Sequence, residues 1–290
     1  GAFITRKSCT NDISRVHKGN FISYIKRIII NKGEIKMTEI AQALILGIVQ
    51  GLTELLPVSS SGHLYLISNF FFDWNISESF DIAICIFFFK DWINLIKGGW
   101  NQVFKKEDSI DGRIFWYIVA ATIPAGIIGL IFEHYLEEYL RTPLVVATAL
   151  IVMGILLYFI DKKSKAEYSY ENMSFKQAFL IGISQVLAFV PGVSRSGATI
   201  TIGRALKVDR ESVAKYTFLL STPIVFAATI LKIFDFQFSI AFFVGVIASF
   251  LVGIIVIKFL MNYLKKGSFK VFAIYRVLLG LLVYAVYFLR

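Results

Sequence analysis

Residues 50–63 read QGLTELLPVSSSGH and residues 191–199 read PGVSRSGAT. Each breaks a mostly apolar stretch with Pro, Gly and a cluster of hydroxyls. The second lies in about 30 mostly apolar residues between the charged segments 161–176 and 207–212. Two full crossings of a bilayer would need about 20 residues each, so a pair of half-helices that enters and returns on one side fits the length. The stretch from Glu39 to Phe72, broken by the first motif, has the same character.

The two segments align without gaps at an offset of 135. Ala43, Gly47, Gln50, Ser59, Ser61 and Gly62 match Ala178, Gly182, Gln185, Ser194, Ser196 and Gly197. Broken helices in inverted repeats bring their tips together near the bilayer midplane, and irregular backbone is tolerated there only when protein buries it or a wet cavity receives it. The expected fold is an all-α polytopic membrane protein. It is an inverted repeat, about 39–160 and 174–290, with two re-entrant helix hairpins and about six transmembrane helices.

The rest of the chain agrees. Of 290 residues 57% are hydrophobic and only 17% charged, against roughly 25% charged in ordinary globular domains. Ile114 to Phe132, Pro143 to Ile160 and Phe238 to Ile257 are uncharged runs of 19, 18 and 20 residues. Tyr216 to Leu231 and Val271 to Leu289 are further spans, the last interrupted by Arg276. Two Cys exclude a disulfide scaffold, and three His leave little for a histidine-built metal cluster.

The net charge of +10 does not point to nucleic acid, because residues 1–36 hold eight basic and two acidic side chains. Lys32, Gly33 and Glu34 are what a purine-rich ribosome-binding site would encode in frame. We therefore read 1–36 as a leader outside the native protein, with translation starting at Met37 and a single integral-membrane domain over 37–290. Basic segments 97–113, 161–176 and 258–270 alternate with the acidic segment 133–142 and the short 232–237, which places the basic ones in the cytoplasm.

Inside hydrocarbon, Glu54, His63 and Arg195 are expensive enough that function is their default reading. Arg195 beside Ser194, Ser196 and Thr199, at a helix start, is an anion site in waiting. The plainer alternative is an Arg195–Glu54 pair that merely joins the hairpins. Gln50 and Glu54, four apart on one helix face, offer oxygens to a hard cation such as Mg²⁺ or Ca²⁺. An interhelical hydrogen bond is the competing role for Gln50. His63 beside Ser59, Ser60 and Ser61 can be a nucleophile or an acid/base. Arg276 could pair with a carboxylate, snorkel or assist the anion site.

At these residues the chain resembles the undecaprenyl-diphosphate phosphatases, the bacitracin-resistance membrane phosphatases, from about Thr38 to Arg290. QGLTELLPVSSSGH is similar to the family's Glu/Gln-x-x-x-Glu plus Pro-Val-Ser-Ser-x-Gly-His element. PGVSRSGATI is similar to its Pro-Gly-x-Ser-Arg-Ser-x-x-Thr element, and FAIYR also fits. The resemblance implies hydrolysis of undecaprenyl diphosphate at the outer face of the bacterial cytoplasmic membrane. That reaction recycles the carrier for peptidoglycan and gives bacitracin resistance. It implies a divalent cation held by Gln50 and Glu54. Glu54, Ser60, His63 and Arg195 become the catalytic set, and Ser59, Ser194, Ser196 and Thr199 hold phosphate oxygens. Either Ser60 or His63 is the nucleophile.

Partners expected are the lipid substrate and membrane lipid, with a homodimer compatible. One departure stands out: FDIAI runs directly into CIFFFKDWI, which leaves only Ile82 to Phe89 uncharged. This predicts a short or tilted third segment and impaired activity or stability. A lipid-phosphate flippase or anion-coupled transporter is the alternative, since inverted broken helices are a transporter feature. The cluster of Ser60, His63 and Glu54 exceeds what binding alone requires.

Overall fold

A computed structural model describes residues 35–72, 88–232 and 239–289, with side chains of 133–138 and of the segment ends 35–38 and 231–232 set aside. Ten α-helices follow one another among these residues: α1 (Ile35–Thr53), α2 (Ser60–Tyr65), α3 (Phe89–Phe104), α4 (Ile110–Leu140), α5 (Pro143–Lys163), α6 (Phe175–Ile183), α7 (Arg195–Ala205), α8 (Arg210–Lys232), α9 (Ile240–Leu264) and α10 (Lys270–Leu289). A π-helical turn, Leu66–Phe71, extends α2, and a 3₁₀ turn, Ser184–Phe189, extends α6. The described residues contain no strand, only a bridge between Tyr168 and Val208.

Hydroxyl caps start the helices where the sequence offers them. The Ser109 side chain accepts from Gly112 N at 3.1 Å to open α4. Thr142 accepts from Val145 N at 3.3 Å, with Pro143 as the first residue of α5, where its missing N–H goes unmissed. Ser174 and Gln177 form a reciprocal capping box at α6.

Five helices (α4, α5, α8, α9 and α10) are long and apolar enough to cross a membrane, and the chain is a multi-pass membrane protein. About six spans were expected. The remaining one falls at 80–92, where 80–87 lie outside the described residues; from Phe89 onward the chain is the 16-residue helix α3, with Lys90 and Asp91 in its first turn. The leader likewise falls outside, up to residue 34. One boundary is corrected: 133–140 is helix, not loop, because α4 runs on to Leu140 and only Arg141 and Thr142 separate it from α5.

The halves α1–α5 and α6–α10 pack by exchange. The first helix of each half lies against the fourth helix of the other, α1 on α9 and α6 on α4, and the two fifth helices, α5 and α10, pack together. Small residues permit the approach. A methyl group on Gly47 would stand 2.3 Å from Gly245 O, and one on Gly182 would stand 2.1 Å from Ala121 Cβ. Helix α8 is the inner member. Its most apolar window is 56% buried, against 28% for α4 and α10, whose outward faces present Ile131, Leu278 and Leu282 as lipid-facing surface. Buried Val213, Tyr216, Phe218 and Leu220 of α8 meet Ile114, Ile118 and Ala121 of α4 in the largest apolar cluster.

Where α5, α7, α8 and α10 converge, Asp161 is buried and accepts from Arg204 Nε at 2.7 Å, Arg210 Nε at 2.9 Å and Phe269 N at 3.2 Å. This knot fixes the far end of α7 and leaves its first turn to be positioned by the tips.

Candidate active site

Two turns of the same shape meet at the centre of this scaffold. After α1, Glu54 N still bonds Gln50 O at 2.9 Å, so Glu54 stays on the helix face that carries Gln50. The chain then turns through Pro57 into Ser59, whose φ is +75°. The Ser59 hydroxyl caps α2 by accepting from Gly62 N at 3.3 Å. In the second half Ser194 has φ +73°, and its hydroxyl caps α7 by accepting from Gly197 N at 3.1 Å. Left-handed backbone at a residue other than glycine is uncommon and stores on the order of 1–3 kcal/mol. Lys106 and Lys207 also have positive φ, in connections between helices; what sets Ser59 and Ser194 apart is that they stand 135 residues apart in matching turns and each caps the helix that follows.

The tips touch through side chains. Glu54 Oε1 receives Arg195 Nη2 in an ion pair across 141 residues of chain. Its Oε2 receives Ser60 Oγ at 2.5 Å and Gln50 Nε2 at 2.8 Å. Ser196 Oγ donates to Leu56 O at 2.9 Å and stitches the second tip to the first turn. The Glu54 side chain is 10% exposed and that of Arg195 20%. Ser60 is half-buried and Ser61 exposed, so the cluster can be reached from outside the protein.

Helix α10 completes the site from behind. Arg276 is wholly buried and donates to carbonyls of three segments: Pro57 O at 2.9 Å, Gly192 O at 2.9 Å and Val193 O at 2.8 Å at the tips, and Leu150 O and Ala149 O on α5. Neither the carboxylate pairing nor the snorkelling considered for it occurs; it clamps both tips through their backbone. Among the described residues its charge is met by dipoles alone, and Arg195 and Arg276 outnumber Glu54 at the tips. His63, buried in α2, holds its Nδ1 2.7 Å from Ser59 O and its Nε2 2.6 Å from the Tyr275 hydroxyl.

Thus Glu54, Ser60 and Arg195 are in mutual contact through one carboxylate, and His63 adjoins them through the Ser59 carbonyl. The expected phosphate-holding hydroxyls are placed differently. Ser59 and Ser194 are helix caps, and Ser196 is bonded to Leu56 O. Thr199 is fully buried behind Arg195, donating to Arg195 O at 2.9 Å and receiving Thr217 Oγ1 at 3.0 Å. Sequence reading missed Tyr275 and Thr217. A hydroxyl one residue before a buried cation was the only signal for Tyr275, and tyrosines are common in membrane helices.

Among the described residues no group of three or more His, Cys, Asp or Glu converges on a point where a metal ion could sit. Glu54 and Gln50 together offer too few donors for an all-protein cage. They suit a Mg²⁺-like ion that keeps its waters and takes most other ligands from substrate phosphates.

The fold and this site define a multi-pass membrane protein whose two tips meet in a carboxylate–hydroxyl–guanidinium contact. The family model described as "Bacitracin resistance protein BacA" matches residues 43–282, and the chain belongs to that family. It is similar to the undecaprenyl-diphosphatase of Pelotomaculum thermopropionicum, with 44% identity over 254 residues, covering 83% of this chain and 94% of the relative. The undecaprenyl-diphosphatase of Gemmatimonas aurantiaca is 43% identical over 84% of this chain and 96% of its own. That of Enterococcus faecalis is 37% identical over the same shares.

Proposed function

We propose that this chain hydrolyses undecaprenyl diphosphate to undecaprenyl phosphate and inorganic phosphate, and that Ser60 is the nucleophile. The observation that carries the reading is the Glu54 carboxylate, which touches the Ser60 hydroxyl with one oxygen and the Arg195 guanidinium with the other. An anionic head group draws Arg195 from Glu54 onto its terminal phosphate. Glu54, relieved of its counter-charge, accepts the Ser60 proton. Ser60 Oγ then forms its bond to the terminal phosphorus as the bridging P–O bond breaks, and undecaprenyl phosphate leaves with the bridging oxygen. Water attacks the resulting phosphoserine; as the P–Oγ bond breaks, Ser60 Oγ takes back its proton from Glu54, inorganic phosphate leaves with both water protons, and the Glu54 carboxylate is restored.

Preorganised positive charge is the main catalytic device for such transfers. Arg195 supplies it directly, and Arg276 supplies it from behind the tips. A divalent cation arriving with the diphosphate would be held by Glu54 and Gln50 and would neutralise further phosphate charge. His63, with both ring nitrogens engaged, supports the turn that carries the nucleophile.

The basic segments (Lys105 and Lys106 between α3 and α4, Lys162 and Lys163 at the end of α5, Lys265 and Lys266 between α9 and α10) support a cytoplasmic position for those connections. On that assignment the protein lies in the bacterial cytoplasmic membrane, the halves are inverted, and the chamber serves the outer face.

Phosphate release from farnesyl diphosphate by the detergent-purified protein, with and without EDTA, tests the reading. Wild type should turn over, and Ser60→Ala, Glu54→Gln and Arg195→Ala should not. Tight diphosphate binding without hydrolysis by wild type would move the chain to the transporter class.

A further inference from the structure

We propose that Tyr275 is a positioning residue of the active site, acting through His63 to hold the nucleophile's turn in place. The inference rests on the phosphatase reading only for its kinetic consequence; the geometry stands by itself. A carbonyl oxygen can only accept, so the 2.7 Å contact between His63 Nδ1 and Ser59 O places the proton on Nδ1. In the neutral ring Nε2 then carries a lone pair, and the partner 2.6 Å away, the Tyr275 hydroxyl, donates to it. The two rings lie nearly parallel, 8° between planes with centroids 5.6 Å apart.

The same Ser59 carbonyl also accepts His63 N at 3.1 Å, so its orientation is set from two directions. Ser59 is the left-handed residue immediately before Ser60. A chain of hydrogen bonds therefore runs from α10 through Tyr275, His63 and the Ser59 carbonyl to the peptide that aims Ser60 Oγ at Glu54. The tautomer of a histidine is set by the bond its other nitrogen makes. Without the tyrosine hydroxyl the ring is anchored at Nδ1 alone and is free to turn about its side-chain bonds, which loosens its hold on the Ser59 carbonyl. The arrangement also closes Nε2 to phosphorus, which leaves Ser60 as the attacking group.

Two measurements test this on the full-length protein in nanodiscs. The first is the ¹⁵N spectrum of histidine-labelled protein, in which His63 is one of three histidines. Wild type should show the Nδ1-protonated tautomer for His63 with its Nε2 resonance shifted by an accepted hydrogen bond, and Tyr275→Phe should move that Nε2 resonance toward the position of an unbonded lone pair. An Nε2 resonance that does not move in Tyr275→Phe overturns the proposal whatever the protein's activity.

The second is a double-mutant cycle on isoprenyl diphosphate hydrolysis. Tyr275→Phe keeps the ring and removes one hydrogen bond, so kcat should fall by about 3–10-fold with KM unchanged. The same change in a His63→Ala background should have less than about a twofold effect, because Tyr275 then has nothing to act through. Equal losses in both backgrounds, or a kcat within twofold of wild type for Tyr275→Phe alone, overturn the proposal. A wild type that releases no phosphate overturns the phosphatase reading instead, and the spectroscopic arm still decides the role of Tyr275.

Discussion

The two tips share a backbone and divide the chemistry. Val58, Ser59, Ser61 and Gly62 recur as Val193, Ser194, Ser196 and Gly197, and both serines adopt the same left-handed cap. Among the positions where they part, three carry the polar groups of the first tip or the arginine of the second: Glu54 against Phe189, Ser60 against Arg195, and His63 against Ala198. On the proposed mechanism the first tip thus holds the base, the nucleophile and the imidazole, and the second holds the cation. Ser60 and Arg195 occupy equivalent places, so packing the tips against each other sets the attacking oxygen opposite the charge that stabilises its target. The shared turn supplies the shape, and the residues that differ supply the asymmetry that a directional reaction needs.

The comparison can be broken most severely at its shared contact. Glu54→Gln and Arg195→Ala each leave a charge in the chamber without its partner. Phosphate release should fall by about 10²–10⁴-fold in either, measured in detergent under single-turnover conditions. Activity within tenfold of wild type would refute the contact as the catalytic centre. Next in size is the clamp that both tips use. Arg276→Met keeps most of the side-chain volume but strands carbonyls at Pro57, Gly192 and Val193, a loss on the order of 3 kcal/mol. The unfolding midpoint in detergent should drop by about 5–10 °C, and activity should fall with it.

A third pair of variants separates the tips from each other. A methyl on Gly197 would stand 2.6 Å from Arg276 Nη1, while one on Gly62 would stand no closer than 3.1 Å, to Ser59 Oγ. Gly197→Ala should displace Arg276 and cut kcat by about tenfold, and Gly62→Ala should stay within about threefold. The reverse order would show that the clamp is not shared as described.

The smallest effect lies away from both tips. The exposed Lys207 ammonium is held above its ordinary range by Glu167, bonded at 2.9 Å. A raised lysine contributes in full below its unfolded value and loses that contribution only as pH climbs past the folded one. Between pH 6 and 9 this pair should therefore add no pH dependence to the unfolding midpoint, and because an exposed ion pair contributes little, Lys207→Ala should leave the midpoint and the activity nearly unchanged.

Much of this was legible in the chain itself, for physical reasons. Long uncharged runs mark spans because hydrocarbon excludes charge, and α5, α9 and α10 begin within two residues of where those runs begin. Charge marks the membrane boundary rather than the helix end, which is why the acidic stretch at 133–140 read as a loop and is helix. The offset of 135 brought Glu54, Ser60 and Arg195 together on paper because identical turns were planted in both halves. The roles of Arg276 and Tyr275 were not readable. Their partners are main-chain carbonyls and a ring nitrogen supplied by other segments, and no spacing along the sequence encodes such a meeting. The surroundings of Thr199 were unreadable for a similar reason: a motif shows which residues adjoin an arginine, not that the Thr199 hydroxyl is buried and bonded to Arg195 O and Thr217.

That α10 carries both Tyr275 and Arg276 sets a timetable for assembly. As the ribosome delivers the helices in order, every group that the proposed mechanism sets on the phosphate is already in the bilayer before α10 emerges. Until that helix docks against α5, the turns have nothing to gather their carbonyls, and a nascent chain cut short before residue 270 would hold the reactive side chains without the frame that makes them an enzyme.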